Sequence, residues 1–274
     1  MKHYLSIFKD TVRAKWEKPA LSDYNGETYT FAHIATDIKR IHAIFAGLGV
    51  QPGDKVALAA KNSAHWAITF LATATYRAVI VPILNDFLPA DIATLTDHSE
   101  SVVLFTEAKM WENMPLDKMP KLKAAVNTDD FSALYSREEG LLDSIIKDNE
   151  KHIPAIYNEM MKDSVTDYKI GDLDDLAVIN YTSGTTSSPK GVMLTSRNIS
   201  SNIEFALNRI PVKEGDTLMS MLPMAHMYGM AFEFIYPLSG GAHVYFLGKT
   251  PTPTILLKAL GDIKPYLFIT VPLV

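Results

Sequence analysis

The chain has 274 residues, 47% of them hydrophobic, and 26 basic against 31 acidic side chains leave a formal net charge of −5. Mild acidity argues against a nucleic-acid partner held through phosphate contacts, and the apolar content is enough for the core of one large domain or two small ones. With no cysteine, a disulfide framework, a thiol nucleophile and thiolate metal sites are excluded. No apolar run approaches a membrane span, and Met1-Lys-His-Tyr-Leu-Ser6 lacks the apolar core of a signal peptide. The expected location is the cytoplasm, with peripheral membrane association left open.

Along the chain the pattern predicts alternating helices and strands. Thr30 can cap a helix whose apolar positions Phe31, Ile34, Ala35, Ile38, Ile41, Phe45 and Leu48 share one face. Gly49 ends it, with Val50 free to fold back onto Phe45. A strand is predicted over Lys55–Ala60, a helix over Ser63–Tyr76, a strand over Ala78–Ile83, a helix over Pro89–His98 and a strand over Ser101–Thr106. Residues 129–172 are rich in Asp, Glu and Lys, with helical periodicity at Leu141–Ile146 and Ile153–Met161. They are expected to form a charged helical insertion with solvated faces. Alternation resumes with a helix over Arg197–Asn208, a strand over Thr217–Leu222, a helix from Met227, and a strand over Ala242–Phe246. A helix over Thr252–Leu260 and a strand over Tyr266–Val271 follow. Strands recurring with helices between them predict an α/β fold of doubly wound, mainly parallel sheets with flanking helices.

The most informative stretch is Tyr181-Thr-Ser-Gly-Thr-Thr-Ser-Ser-Pro-Lys-Gly191. Apolar runs lead into it at Leu176–Tyr181 and out of it at Val192–Leu194. A hydroxyl-rich loop between two strands, with Gly184 allowing close backbone approach and Lys190 adding positive charge, suits a polyphosphate. It differs from the common strand–loop–helix phosphate motif, because Gly191 rather than Ser or Thr follows Lys190 and a strand-like segment comes next. The plain alternative is a Ser/Thr/Gly-rich surface turn.

That string resembles the phosphate-loop signature of the adenylate-forming superfamily, which takes in acyl-CoA synthetases, peptide-synthetase adenylation domains and luciferases. The likeness extends to Gly49–Val56, Lys61–Ser63, Ala78–Pro82, Leu222-Pro-Met-Ala-His-Met-Tyr-Gly229 and Pro265–Pro272. It runs from about Thr28 to the last residue and thins between Met110 and Gly171. The wording of Leu222–Phe246 is most similar to long-chain fatty acyl-CoA synthetases. One departure is Ser187, where the family usually has Gly; a positive φ there would strain serine by about 1 kcal/mol.

The resemblance implies ATP-dependent activation of a carboxylic acid to an acyl adenylate, followed by attack of the coenzyme A thiol, with Mg2+ bridging the phosphates. It implies that Thr182, Ser183, Gly184, Thr185, Thr186 and Ser187 cradle the phosphates, with the Thr182 hydroxyl a magnesium ligand. Lys190 would be the loop's basic residue, and His226 would close over the acyl and α-phosphate end beside Tyr228 and Gly229. Left to its neighbours alone, His226 among Met224, Ala225 and Met227 reads as a satisfied core histidine. Asn180 and Tyr181 are expected only to pack or cap the strand end. The methionines from Met219 to Met230 suit either an adaptable acyl tunnel or ordinary core filling. His33, His42, His65 and His98 lack metal-ligand spacing, so no metal beyond magnesium is expected.

The chain is read as a partial N-terminal adenylate-forming domain. An N-terminal segment (1–27) precedes a first α/β section (28–128), the charged insertion (129–172) and a section holding the phosphate loop and acyl site (173–274). The apolar run Phe268–Val274 stops without a polar tail. In the resembling enzymes the adenine- and ribose-binding segments, the acidic magnesium ligand and a mobile lysine-bearing domain lie further along. The chain alone is therefore expected to have little activity. Three other functions remain open: a noncatalytic acyl- or nucleotide-binding homologue with a decayed loop, an adenylating enzyme for a non-fatty acid, and an unrelated phosphate-binding α/β domain such as a kinase. The spacing of Leu222–His226 after the loop argues against the last. Acid chain length, thiol acceptor and oligomeric state are not legible.

Overall fold

A computed structural model of the chain describes residues 1–182, 189–249 and 251–270. The first half runs α1 (Tyr4–Ala14), β1 (Pro19–Asp23), β2 (Thr28–Thr30), α2 (Phe31–Gly47), β3 (Lys55–Ala59), α3 (Ala64–Thr75), β4 (Val79–Pro82), α4 (Pro89–His98), β5 (Ser101–Thr106) and α5 (Ala108–Trp111). It continues through β6 (Ala124–Asn127), β7 (Ala133–Ser136), α6 (Leu141–His152) and α7 (Lys162–Val165). The remainder runs β8 (Leu176–Thr182), β9 (Lys190–Thr195), α8 (Ser196–Arg209), β10 (Thr217–Ser220), a π-helix (Gly229–Ile235), α9 (Tyr236–Gly240), β11 (His243–Phe246), α10 (Pro253–Ile263) and β12 (Leu267–Phe268).

Helix ends follow the local chemistry. Thr30 Oγ1 accepts from the His33 amide while His33 Nδ1 accepts from the Thr30 amide, a reciprocal cap at the start of α2. Gly49 takes φ +63° beyond the other end, and the Val50 amide donates back to the Phe45 carbonyl at 2.9 Å. Ser63 caps α3 by accepting from the Trp66 amide.

Two sheets result. One has the order β12-β10-β11-β1-β2, parallel except for β1 with β2. The other has the order β7-β6-β5-β3-β4-β8-β9, parallel inside and antiparallel at both edges. Alternation along β3 decides the layers. Val56 and Leu58 face a core shared with α1, α2, α3 and the other sheet's Leu21, Leu218 and Val244. Ala57 and Ala59 face a second core with Ile92 and Leu95 of α4. Met219 and Leu247 meet Ala259 of α10 in a third. Helices therefore fill the space between the sheets and cover both outer faces, the doubly wound arrangement expected. Among the described residues, no helix is long and apolar enough to cross a membrane.

Three parts differ from the expectation. Residues 1–27 contain α1 and β1: Tyr4, Leu5, Phe8 and Val12 bury one helix face, and β1 becomes an interior strand. The charged section contributes strand β7, paired with β6. The helix expected over Ile153–Met161 is absent, because Ile153 precedes Pro154 and is extended at φ −104°, ψ 121°. Helical turns return only at Glu159–Met161 and α7. The expected strand over Tyr266–Val271 is described only as Leu267–Phe268, and Val271 lies outside the described residues.

The irregular stretch is clasped to α2. Arg40 pairs with the nearly buried Asp37 and donates to the Pro154 and Ala155 carbonyls at 2.9 and 3.1 Å. The Tyr157 amide donates to Thr36 Oγ1 at 3.1 Å. Burial pushes the Asp37 carboxyl above the usual range, opposed by Arg40. Replacing Arg40 by Ala leaves a buried carboxyl without its cation and two carbonyls without donors. Arg40 keeps 33% of its side chain in water, so the loss should be about 2 kcal/mol rather than the larger value of a fully buried pair. Urea unfolding of Arg40→Ala measures it, and a change below about 0.5 kcal/mol would refute the clasp.

Candidate functional site

Parallel strands place their carboxyl ends on one edge, where ligands bind in open α/β sheets. Here α3 leaves β3 toward the shared core and α4 leaves β4 toward the outer face, so the chain parts after these neighbouring strands. A cleft of about 420 Å³ opens there, lined by Lys61, Asn62, Asn85 and Asp86 from the seven-stranded sheet and by Leu222 and Lys249, among others, from the five-stranded one. A larger groove of about 750 Å³ lies between Trp16, His33 and residues 156–163 and touches none of the motif residues. Chemistry, not volume, makes the strand-end cleft the candidate.

The phosphate-loop string is flanked by paired strands. β8 and β9 run antiparallel with Tyr181 opposite Gly191 and Thr182 opposite Lys190. Thr182 and Lys190 are both exposed, so the ladder holds a hydroxyl and an ammonium side by side at its open end. The predicted phosphate ligands Ser183, Gly184, Thr185, Thr186 and Ser187 lie outside the described residues. Below the open end, Tyr181 is fixed by its hydroxyl, 2.7 Å from His98 Nδ1.

The second motif follows β10. His226 is exposed, so its reading as a satisfied core histidine does not hold. Its amide donates to the Pro223 carbonyl at 3.0 Å, and its carbonyl accepts from the Met230 amide at 3.0 Å. Tyr228 is half exposed, its ring 5.1 Å from that of Phe232. Gly229 is buried, and a Cβ there would sit 2.7 Å from the Pro223 oxygen. Only glycine lets the π-helix start so close to the preceding turn. Met219, Met224 and Met230 are wholly buried in core clusters, as the core-filling alternative expects.

Three polar residues join these parts, two of them not identified by sequence reasoning. Asn180 Nδ2 donates to the Ala225 carbonyl at 2.5 Å, across 45 residues of sequence; packing or capping is therefore not its whole role. Asn62 donates from Nδ2 to the Leu222 carbonyl at 2.7 Å and accepts from the Met224 amide at 3.0 Å. Glu233, fully buried in the π-helix, accepts on Oε2 from Ser220 Oγ and the amides of Met221 and Leu222 at 3.1, 2.9 and 2.8 Å. A Glu seven residues after the motif histidine, inside the apolar run Met230–Leu238, was the available signal: a charge there needs partners.

The match to known proteins spans this whole arrangement. The AMP-binding enzyme family matches residues 8–274, well ahead of Thr28, where the likeness was expected to begin. The chain belongs to that family. It is 28% identical over 282 residues to a long-chain-fatty-acid–CoA ligase of Bacillus subtilis, covering 96% of this chain and 49% of that one. To a medium-chain fatty-acid–CoA ligase of Escherichia coli it is 25% identical, covering 88% of this chain and 41% of the relative. The crystal structure of an anthranilate CoA ligase in complex with anthranoyl-AMP superposes with TM-score 0.80 at 19% identity, over 97% of this chain and 48% of that one. The chain thus spans about half the length, or less, of these proteins.

Burial raises the Glu233 carboxyl to about 7, against the pull of its three hydrogen bonds, and no charged side chain contributes to the shift. A carboxyl whose value is raised on folding stabilises the protein fully below its unfolded value of 4.5 and loses that contribution as pH rises through about 7. In Glu233→Gln the group cannot ionise. The melting temperature of Glu233→Gln relative to the unmodified chain should therefore rise between pH 5 and pH 8, by roughly a few degrees. A difference that stays constant across that interval would mean that the carboxyl is not raised.

Proposed function

We propose that the protein carrying this chain activates a carboxylic acid with ATP, forming an acyl adenylate and pyrophosphate, and passes the acyl group to coenzyme A. The observation that carries this reading is the junction of its two motifs. The Thr182–Lys190 end of the β8–β9 ladder is tied through Asn180 to the carbonyl next to His226. A carboxylate is a poor acyl donor because oxide is its leaving group, and joining it to the α-phosphate replaces oxide with AMP. The protein's share of the work is to hold the triphosphate, offset the charge that builds on the α-phosphate and aim the carboxylate in line.

In this reading Lys190 meets the triphosphate, with Thr182 and the loop residues Ser183 to Ser187 as hydrogen-bonding partners. Exposed His226 reaches over the acyl end, with Tyr228 and Gly229 forming a wall. Among the described residues no cluster of three His, Asp or Glu could hold a metal ion. A magnesium ion arriving with the phosphates needs less, because it keeps most of its ligands from phosphate and water. The exposed Thr182 hydroxyl fits that need, and the ion would supply further neutralisation of the phosphates. Fatty acids are the proposed substrate class, supported by the long-chain and medium-chain ligases among the relatives. The cytoplasm is the proposed compartment.

Lys190→Ala removes one fixed positive charge. It should slow adenylate formation roughly tenfold to a thousandfold, the range for one electrostatic contact in a preorganised site. ATP–pyrophosphate exchange, measured on the protein carrying this chain, reads that rate. His226→Ala should alter the preference among acids of different length more than the KM for ATP. Circular dichroism must first establish that both variants are folded. An unmodified exchange rate in folded Lys190→Ala would exclude the role given to the lysine.

A further inference from the structure

Residues 221–226 carry His226 between β10 and the π-helix without a ladder of their own. A partly buried backbone in that position must find hydrogen bonds elsewhere. It finds them in three side chains from three elements. Asn62 follows β3 and takes both the Leu222 carbonyl and the Met224 amide. Glu233 comes from the π-helix and takes the Met221 and Leu222 amides. Asn180 stands on β8, two residues before Thr182, and takes the buried carbonyl of Ala225.

The identity of residue 180 is the telling detail. Its neighbours on β8 are Val178, Ile179 and Tyr181, and the strand is buried from Ala177 to Tyr181. Packing alone would be met by an aliphatic side chain, and a buried amide is costly unless it is bonded. Its bond to Ala225 supplies what an aliphatic residue could not, a donor from the loop-bearing strand to the carbonyl immediately before His226.

We infer that Asn180, together with Asn62 and Glu233, is a positioning residue that fixes His226 relative to the strand entering the phosphate loop. The three touch backbone and not reacting atoms. Their effect is on where His226 stands. Asn180 is the joint, because among the described residues its hydrogen bond is the one that links β8 itself to that segment. The inference deepens the proposed acyl-activating function and rests on treating the loop and His226 as one site.

The test uses the 274-residue chain without nucleotide or acid. Asn180→Leu keeps the approximate volume and deletes the donor. It should move the imidazole Cε1–H resonance of His226 while leaving that of His152, on α6, in place. The amides of Met221, Leu222, Met224, Ala225 and His226 should exchange ~10-fold faster or more, the effect of one unpaired buried carbonyl, with strands β3 and β5 unchanged. Unchanged His226 resonance and exchange in the folded variant would overturn the inference, as would faster exchange spread evenly over the chain. Should Asn180→Leu fail to fold, Asn62→Leu decides by the same two readouts. Glu233→Gln keeps an acceptor oxygen and should disturb the segment less than Glu233→Ala; equal disturbance by the two would also count against it. Since no substrate is present, failure here is separate from failure of the proposed reaction, which pyrophosphate exchange reads independently.

Discussion

A parallel sheet must be covered on both faces, and this molecule meets that demand for two sheets with one shared helical layer. Phe31, Ile34, Ile38 and Ile41 of α2 and Trp66, Phe70 and Leu71 of α3 lie in the same core as Val56, Phe105 and Val178 of one sheet and Leu21, Val244 and Phe246 of the other. Because interiors are packed to crystal-like density, a rigid layer between the sheets sets their relative position. The carboxyl ends of β3, β4 and β8 are thereby held beside those of β10 and β11. The candidate site is a consequence of that seam rather than a feature of either sheet alone.

A seam between sheets has a polar problem that the sheets' interiors lack. Strands end there, and the chain that leaves them has amides and carbonyls but no ladder to join. Asp23 accepts from the Ala64 amide at the start of α3, and Asn62, Asn180 and Glu233 serve the turn after β10. Glu233 is the costly member. Its Oε1 is buried with no hydrogen-bond partner among the described residues, and burial outweighs its three bonds in setting its protonation. An apolar residue there would strand two amides instead, so the acid is the lesser cost.

Much of this was legible in the sequence, for identifiable reasons. α2, α3 and α4 combine a cap or Pro start with apolar periodicity over many residues, β5 is a β-branched apolar run, and the structure follows all four to within a residue or two. α1 is equally periodic at Tyr4, Leu5, Phe8 and Val12 but carries no strong start signal, since its cap is His3 rather than Ser, Thr, Asp or Asn. β6 and β7 were not legible: four residues each, and β7 only half buried, they hold too few alternations to distinguish a strand from a loop. The π-helix was expected only as a helix, since apolar periodicity over seven residues does not separate π from α turns. Asn180 reads as an ordinary strand-end residue and Asn62 only as part of the Lys61–Ser63 likeness, because their partners lie 45 and 160 residues away.

The ladder between β8 and β9 carries the last constraint. Successive side chains on a strand alternate between faces, so a slip of one residue would send Lys190 to the opposite face and replace it with Pro189 or Gly191 opposite Thr182. The register is fixed further back, where Ile179 pairs with Met193 and Val178 with Leu194, and where a bulge between Leu176 and Val178 absorbs the offset to Thr195. Gly191 adds to this, since a Cβ there would lie 2.8 Å from Ile179 Cγ2 and about 3.4 Å from the Tyr181 ring. A larger residue could not take its place without moving the strand whose Asn180 holds the histidine segment. The position of Lys190 opposite Thr182 is thus set by strand pairing further along the ladder and by the adjacent Gly191.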